Sequence, residues 1–303
     1  MSRIHEALKK AAEERSSRLA TDGATNFADV ASDLTRTTVA ERELGSPELR
    51  TAVRKVTDPS RLQFDELIQR CVQANWRIDP RNSVFHGADT KKVGAERFRT
   101  LRSRLYQIAG AQQLKKVVVT SSIPAEGKTF VASNLANSIV RQNDRRVLLI
   151  DADLRASRLH QTLGAQLTPG LSDYLRGDVD EFAVIQKGLE NNLCFIAGGN
   201  LVSNPSELLL GERMKRLLDL ATPLFDWIIL DSPPALPVHD ASMLADLCDG
   251  VLFVVRAGRT DFEMAEKAAA EFRDKNLLGV VLNCVEKCDS YGSYYYGYPA
   301  KEK

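Results

Sequence analysis

The octet Ser122-Ile123-Pro124-Ala125-Glu126-Gly127-Lys128-Thr129 lies between an apolar, β-branched run at residues 117–120 and a helical stretch continuing to about residue 142. A loop that leaves a strand and enters a helix through Gly-Lys-Thr has few structural solutions. It turns tightly and presents unpaired backbone N–H groups at the positive end of the helix dipole, which suits a polyphosphate. In that setting Lys128 reaches toward the β- and γ-phosphates and the Thr129 hydroxyl is placed for Mg²⁺. The pattern departs from G-x-x-x-x-G-K-[ST] at its first position, Ser122, a residue small enough for the turn. Ser122, Pro124, Ala125, Glu126, Gly127, Lys128, Thr129 and Phe130 form the expected nucleotide-binding set, with ATP and Mg²⁺ the implied cofactors.

Further apolar runs at residues 147–150, 227–230, 251–255 and 280–282 alternate with helix-length segments. Near-continuous apolar runs fit strands buried on both faces, and helical spacers between them imply parallel pairing with crossover helices. The expected fold class is α/β: a P-loop NTPase with a mainly parallel central sheet flanked by helices, spanning residues 91–285. A helix over 95–108 opens it, with Phe98, Leu101, Leu105 and Ile108 at helical spacing. A mostly helical or disordered extension precedes this domain. Residues 1–20 read as an amphipathic helix on Ile4, Leu8 and Ala11, and residues 21–90 as a linker with one short helix near 61–76.

Two of the runs end in acids. The second leads into Asp151-Ala152-Asp153-Leu154-Arg155 and the third into Asp231-Ser232-Pro233-Pro234. Open α/β sheets bind ligands at the C-terminal ends of their strands. Asp231 is expected to hold Mg²⁺ directly or through water, together with Thr129 and Asp153. With Lys128, the acids Asp151, Asp153 and Asp231 are the candidate catalytic residues. One of Asp151 and Asp153 accepts a proton and the other helps with the metal, and the spacing does not assign which. Arg155 and Arg158 read equally as partners of the γ-phosphate or as a solvated basic face.

Composition excludes some classes. A formal net charge of +1 gives no basis for nucleic-acid binding. No apolar run approaches the roughly 18 residues of a membrane span, and the charged N-terminus lacks a signal-peptide core, so a cytoplasmic protein is expected. The odd, scattered cysteines, Cys71, Cys194, Cys248, Cys284 and Cys288, read as reduced thiols. The chain has seven tyrosines, and Tyr291, Tyr294, Tyr295, Tyr296 and Tyr298 crowd its end among glycines and serines. Residues 286–303 read as a flexible, tyrosine-rich tail.

The residues 123–129, 149–155 and 228–234 resemble the Walker A, A-prime and Walker B motifs of the bacterial tyrosine kinases. The tail resembles their autophosphorylation cluster. Glu96-x-x-Arg99-x-x-Arg102 is similar to the helix through which the family self-associates in rings. The resemblance covers residues from about 90 to 303. It implies an ATP-dependent tyrosine autokinase whose acceptors are the five tail tyrosines of neighbouring subunits. It also implies a role in exopolysaccharide or capsule polymerisation and export. The implied partners are a second copy, a membrane chain-length-determinant activator that recruits the kinase to the inner face of the plasma membrane, and a cognate tyrosine phosphatase. Two departures stand out: Ala125 where the family usually has Gly, and Ala156-Ser157 where it commonly has Arg-Pro.

Two rival readings share the fold. A switch ATPase of the partitioning or division-site type resembles this chain in its loop and strand-end acids. Such proteins carry a signature lysine early in the loop, where this chain has Ile123. A nucleotide-gated scaffold without kinase activity is the other, and the presence of Lys128 and all three acids weighs against it.

Overall fold

The computed structural model describes residues 59–86, 92–142, 145–188 and 192–285. The expected helix at 1–20, the first part of the linker and the tyrosine tail with Tyr291, Tyr294, Tyr295, Tyr296 and Tyr298 lie outside the described residues.

Helix α1 (Pro59–Arg70) leads into a short strand β1 (Val72–Gln73). Helix α2 (Lys92–Ala111) then feeds β2 (Lys116–Ser121), and the octet carries the chain into α3 (Lys128–Val140) and on to β3 (Val147–Asp151). Short helices α4 (Leu159–Leu163), α5 (Leu171–Arg176) and α6 (Glu181–Val184) precede the pair β4 (Ile185–Lys187) and β5 (Leu193–Ile196). Next come α7 (Pro205–Leu210), α8 (Glu212–Ala221), β6 (Trp227–Asp231) and α9 (Asp240–Asp246). Strand β7 (Gly250–Arg256), α10 (Phe262–Ala270) and β8 (Leu277–Asn283) close the described chain.

The strands form one sheet of eight in the order β1-β4-β5-β3-β6-β2-β7-β8. All neighbours run parallel except β4 and β5. Alternate residues of each strand feed opposite layers, as the two-residue period of a strand requires. Val118, Leu148, Ile150, Ile228 and Leu230 face a core completed by α1, α5 and α7 to α10. Val117, Val119, Val147, Leu149 and Ile229 face the other, covered by α2, α3 and α4. Both faces are thus buried, which is why these strands read as unbroken apolar runs.

The five expected strands are all present, each slightly longer than its apolar run. Two corrections concern what precedes and what lies between. The expected helix near 61–76 runs instead over Pro59–Arg70, and residues 64–76, expected as part of a linker, pack into the cores of the domain. Phe64, Leu67 and Ile68 are buried, Phe64 meets Phe225 edge-on at 5.4 Å, and Trp76 meets Phe195 at 6.0 Å. Burial of these apolar side chains holds the segment on the domain. Asn134 of α3 ties down the next stretch, accepting from Val84 N–H at 2.9 Å and donating to the Asn82 carbonyl at 3.0 Å. The short strands β1, β4 and β5 extend the sheet beyond the expected five.

Candidate functional site

The strand order puts β2 between β6 and β7: α3 carries the chain from β2 past β6 to β3 on one face, and α9 carries it from β6 past β2 to β7 on the other. A crevice at the C-terminal ends of such strands is the usual ligand site of an open α/β sheet. The octet, Asp151 and Asp231 all stand at that edge. Register brings the acids together: Asp151 is the direct neighbour of Asp231 across β3 and β6.

Lys128 is the centre of the cluster. Its ammonium lies 2.8 Å from Asp153 Oδ2 and 3.9 Å from Asp231 Oδ1. The hydroxyl of Thr129 donates to Asp231 Oδ2 at 2.7 Å. Burial works to depress the Lys128 ammonium, but the carboxylates of Asp231 and Asp153 outweigh it and its pKa is raised. Asp151 is fully enclosed: Oδ2 accepts from the Ser157 hydroxyl at 2.6 Å and from Leu159 N–H at 3.0 Å. Burial, with the charge of Asp231 beside it, pushes the Asp151 carboxyl up to about 7. Burial also raises Asp231, to about 6, against the opposing pull of Lys128 and Thr129.

The loop itself is held from the far side of the sheet. Ala125 sits at φ 66 and Gly127 at φ 96. The Ala125 carbonyl accepts from the Arg256 guanidinium at 3.2 Å and the Glu126 carbonyl from Asn283 Nδ2 at 2.9 Å. The first intrahelical bond of α3 runs from Val131 N–H to the Gly127 carbonyl, at 2.9 Å. The N–H groups of Lys128, Thr129 and Phe130 are therefore outside the helix ladder, where an anion is favoured.

Two members of the expected nucleotide set present only backbone to this loop. The Phe130 ring packs edge-on against Phe98 of α2 at 5.9 Å, and the Glu126 side chain is buried with its carboxylate turned into the protein. Ser122 is buried with a hydroxyl that has no partner among the described residues, while Pro124 is exposed. Arg155 belongs to neither expected reading. Its guanidinium grips Asp240 through Nε at 2.8 Å and Nη2 at 3.2 Å, and donates to Ser206 Oγ at 2.8 Å. Arg158 is exposed. On α2, Glu96 and Arg99 are exposed and bonded to each other, while Arg102 donates to the Ser138 carbonyl of its own chain.

Sequence reasoning missed Arg256, Thr260, Asn283, Ser157 and Asp240. Arg256 and Asn283 each close an expected strand, so the strand-end rule that found Asp231 applied to them too. The other three sit in turns or at a helix start with no local signal.

The donor set fits Mg²⁺. Asp231 Oδ1 is buried and accepts no hydrogen bond among the described residues, and the Thr129 hydroxyl stands beside its twin oxygen. Among the described residues no group of three or more His, Cys, Asp or Glu side chains holds a metal unaided. One carboxylate and one hydroxyl suit Mg²⁺, which keeps water and takes phosphate oxygens beside one or two carboxylates.

The raised carboxyls carry a pH consequence. From about pH 4 to pH 7 the folded, metal-free protein keeps protons that the unfolded chain has released, so these groups cost more stability as pH rises. Asp151→Asn removes one buried charge and is expected to raise the melting temperature, relative to the parent, more at pH 8 than at pH 5. Thermal unfolding without Mg²⁺ measures this, and an equal or larger gain at pH 5 would contradict it.

A family model described as an AAA domain matches residues 114–263. The tyrosine-protein kinase YwqD of Bacillus subtilis is 35% identical over 216 residues, covering 70% of this chain and 91% of that protein. The putative tyrosine-protein kinase AmsA of Erwinia amylovora is 34% identical over 233 residues, 75% of this chain but 32% of its own length. The chain thus spans nearly all of one relative and about a third of the other. Among solved structures, the kinase domain of the Escherichia coli tyrosine kinase ETK superposes with a TM-score of 0.59 at 32% identity, covering 67% of this chain and 80% of that one.

Proposed function

The chain belongs to the bacterial tyrosine-protein kinases, and we propose that it moves the γ-phosphoryl group of ATP onto its own C-terminal tyrosines, between neighbouring subunits. The observation that carries this is the Lys128 ammonium set between Asp153 and Asp231, with Thr129 on Asp231, at the mouth of the phosphate loop.

In this reading the backbone from Ser122 to Phe130 receives the phosphates, and Lys128 leaves its carboxylate partners to follow the charge on the γ-phosphoryl group. Thr129 and Asp231 would hold Mg²⁺, with Asp153 nearby; bound there, the ion neutralises phosphate charge and fixes the phosphates for in-line transfer. The phenol proton passes to a carboxylate of the turn after β3. Asp153 is favoured because it touches Lys128, whereas Asp151 has one oxygen tied to Ser157 and Leu159. Asp151 then acts as a buried carboxyl that anchors the turn through Ser157 and Leu159. Arg155 serves as an anchor of this turn through Asp240.

Tyr291, Tyr294, Tyr295, Tyr296 and Tyr298 are the acceptors. Each phosphate adds about −1.5 to −2 charge, so several on one tail repel one another and favour disassembly. A ring of subunits would use the α2 flank. Glu96 and Arg99 are exposed for such contacts, while Arg102 must first release Ser138. Among the described residues no helix is long and apolar enough to cross a membrane. In this reading a membrane chain-length determinant recruits the kinase from the cytoplasm to the inner face of the plasma membrane, and a cognate phosphatase resets it. The process served is exopolysaccharide or capsule polymerisation and export.

The test is incubation of the full chain with Mg-ATP, with and without the activator's cytosolic segment, followed by mass spectrometry of the C-terminal peptide. Phosphate on tail tyrosines, at a rate that falls on dilution, is the expected result. No phosphotyrosine under either condition ends the kinase reading. Equal labelling at high dilution ends transfer between subunits.

A further inference from the structure

Glu126 stands at the tip of a loop whose proposed ligand is strongly anionic. A carboxylate beside a polyphosphate repels it, and the repulsion grows as water is excluded. In the structure that charge is stowed. Glu126 is 2% exposed; Oε2 accepts from Ile123 N–H at 2.7 Å, and Oε1 accepts from the Thr260 hydroxyl and, at 3.4 Å, from Arg256 N–H. The Arg256 N–H also donates to Thr260 Oγ1 at 3.2 Å, which fixes the hydroxyl in place.

These contacts share one origin with those on the loop's carbonyls. Arg256 and Asn283 are register partners at the ends of β7 and β8, and Thr260 lies in the turn that follows β7. The ends of β7 and β8 therefore hold the loop's carbonyls, and the turn after β7 holds its carboxylate inside. Thr260 supplies the only side-chain hydroxyl on Glu126 among the described contacts.

We infer that Thr260 is a positioning residue for nucleotide binding, holding the Glu126 carboxylate out of the phosphate groove. The inference rests on the proposed ATP site and deepens it. Thr260 acts through Glu126 and touches no phosphate. Losing its hydroxyl leaves the carboxylate on the N–H groups of Ile123 and Arg256 alone and frees Oε1 to turn toward the groove, so the harm belongs to the charge and can be reversed by neutralising it.

The experiment measures KM and kcat for Mg-ATP in tail labelling, with ATP binding by titration calorimetry, on the full chain. Thr260→Val is expected to raise the KM for ATP about tenfold, with kcat at saturating ATP within about twofold of the parent. Thr260→Ser, which keeps the hydroxyl, restores the parent value. Adding Glu126→Gln to Thr260→Val is expected to bring KM back down, a reversal that simple loosening of the fold would not give. A parent-like KM in Thr260→Val, a fall in kcat without a change in KM, or a double variant worse than Thr260→Val overturns the inference. If the parent chain binds ATP normally and only these results fail, the ATP site stands and the role of Thr260 falls. If the parent binds no ATP, both fall.

Discussion

Lys128→Met is expected to lower tail labelling by at least about 10³-fold and to make the stability of the metal-free protein depend steeply on pH. Methionine matches the length of the lysine stem, so packing is nearly preserved and the loss is that of the charge. In the parent, one ammonium serves Asp153 at 2.8 Å and Asp231 at 3.9 Å, both largely buried. Removing one partner of a buried pair leaves the other uncompensated, which costs about 3–5 kcal/mol. Asp231 is already raised by burial against the lowering influence of Lys128, so its pKa climbs further once that influence is gone. The sign follows directly. The folded variant holds protons that the unfolded chain has lost, so its stability falls as pH rises through the neutral range and recovers toward pH 5. The parent's Lys128, with a raised pKa, stays charged throughout that window. Initial labelling rates at saturating Mg-ATP and thermal melts at pH 5 and pH 8 check both halves. Labelling within tenfold of the parent would remove Lys128 from the phosphate site. A melting difference independent of pH would remove the ion-pair argument.

The octet and the acids were legible in the sequence because each is a local pattern. An apolar run ending in Asp231, or a Gly-Lys-Thr opening a helix, carries its own evidence within a few residues. The grip on the loop was not legible in the same way. Arg256 and Asn283 reach the octet because β7 lies between β2 and β8, a consequence of strand order that no neighbouring residue announces. The segment around α1 shows the same limit. Phe64, Leu67 and Ile68 have helical spacing in the sequence, but a stripe that narrow becomes core only where Phe225 and its neighbours wait for it. Strand β1 has two exposed residues and no period to read. Arg155 was ambiguous because its partner, Asp240, follows the Walker B strand and meets the A-prime turn only in the folded sheet. Local patterns thus marked the loop and the acids, and long-range topology decided which side chains touch them.

Gly127 and Ala125 are expected to respond very unequally to a swap between Gly and Ala. Gly127 has φ 96, a region that disfavours any side chain, and a Cβ there would come 2.1 Å from Asn283 Nδ2. Asn283 would have to withdraw, releasing the Glu126 carbonyl it now holds. Gly127→Ala therefore combines backbone strain of about 1–3 kcal/mol with loss of a contact that shapes the loop. ATP binding should fall by at least about 100-fold, with a lower melting temperature. Ala125 is the mirror case. Its φ of 66 already strains a residue with a Cβ, yet it is exposed and has room. Ala125→Gly relieves that strain at the cost of a more flexible unfolded chain, so its stability should change by less than about 1 kcal/mol, with labelling close to the parent's. Calorimetric ATP titrations and melts of the two single variants and the parent make the comparison. Equal losses in both would mean that the loop tolerates no change at all, and the specific contact with Asn283 would carry no weight. A harmless Gly127→Ala would mean that the loop, once it binds phosphate, leaves the conformation that Arg256 and Asn283 now impose.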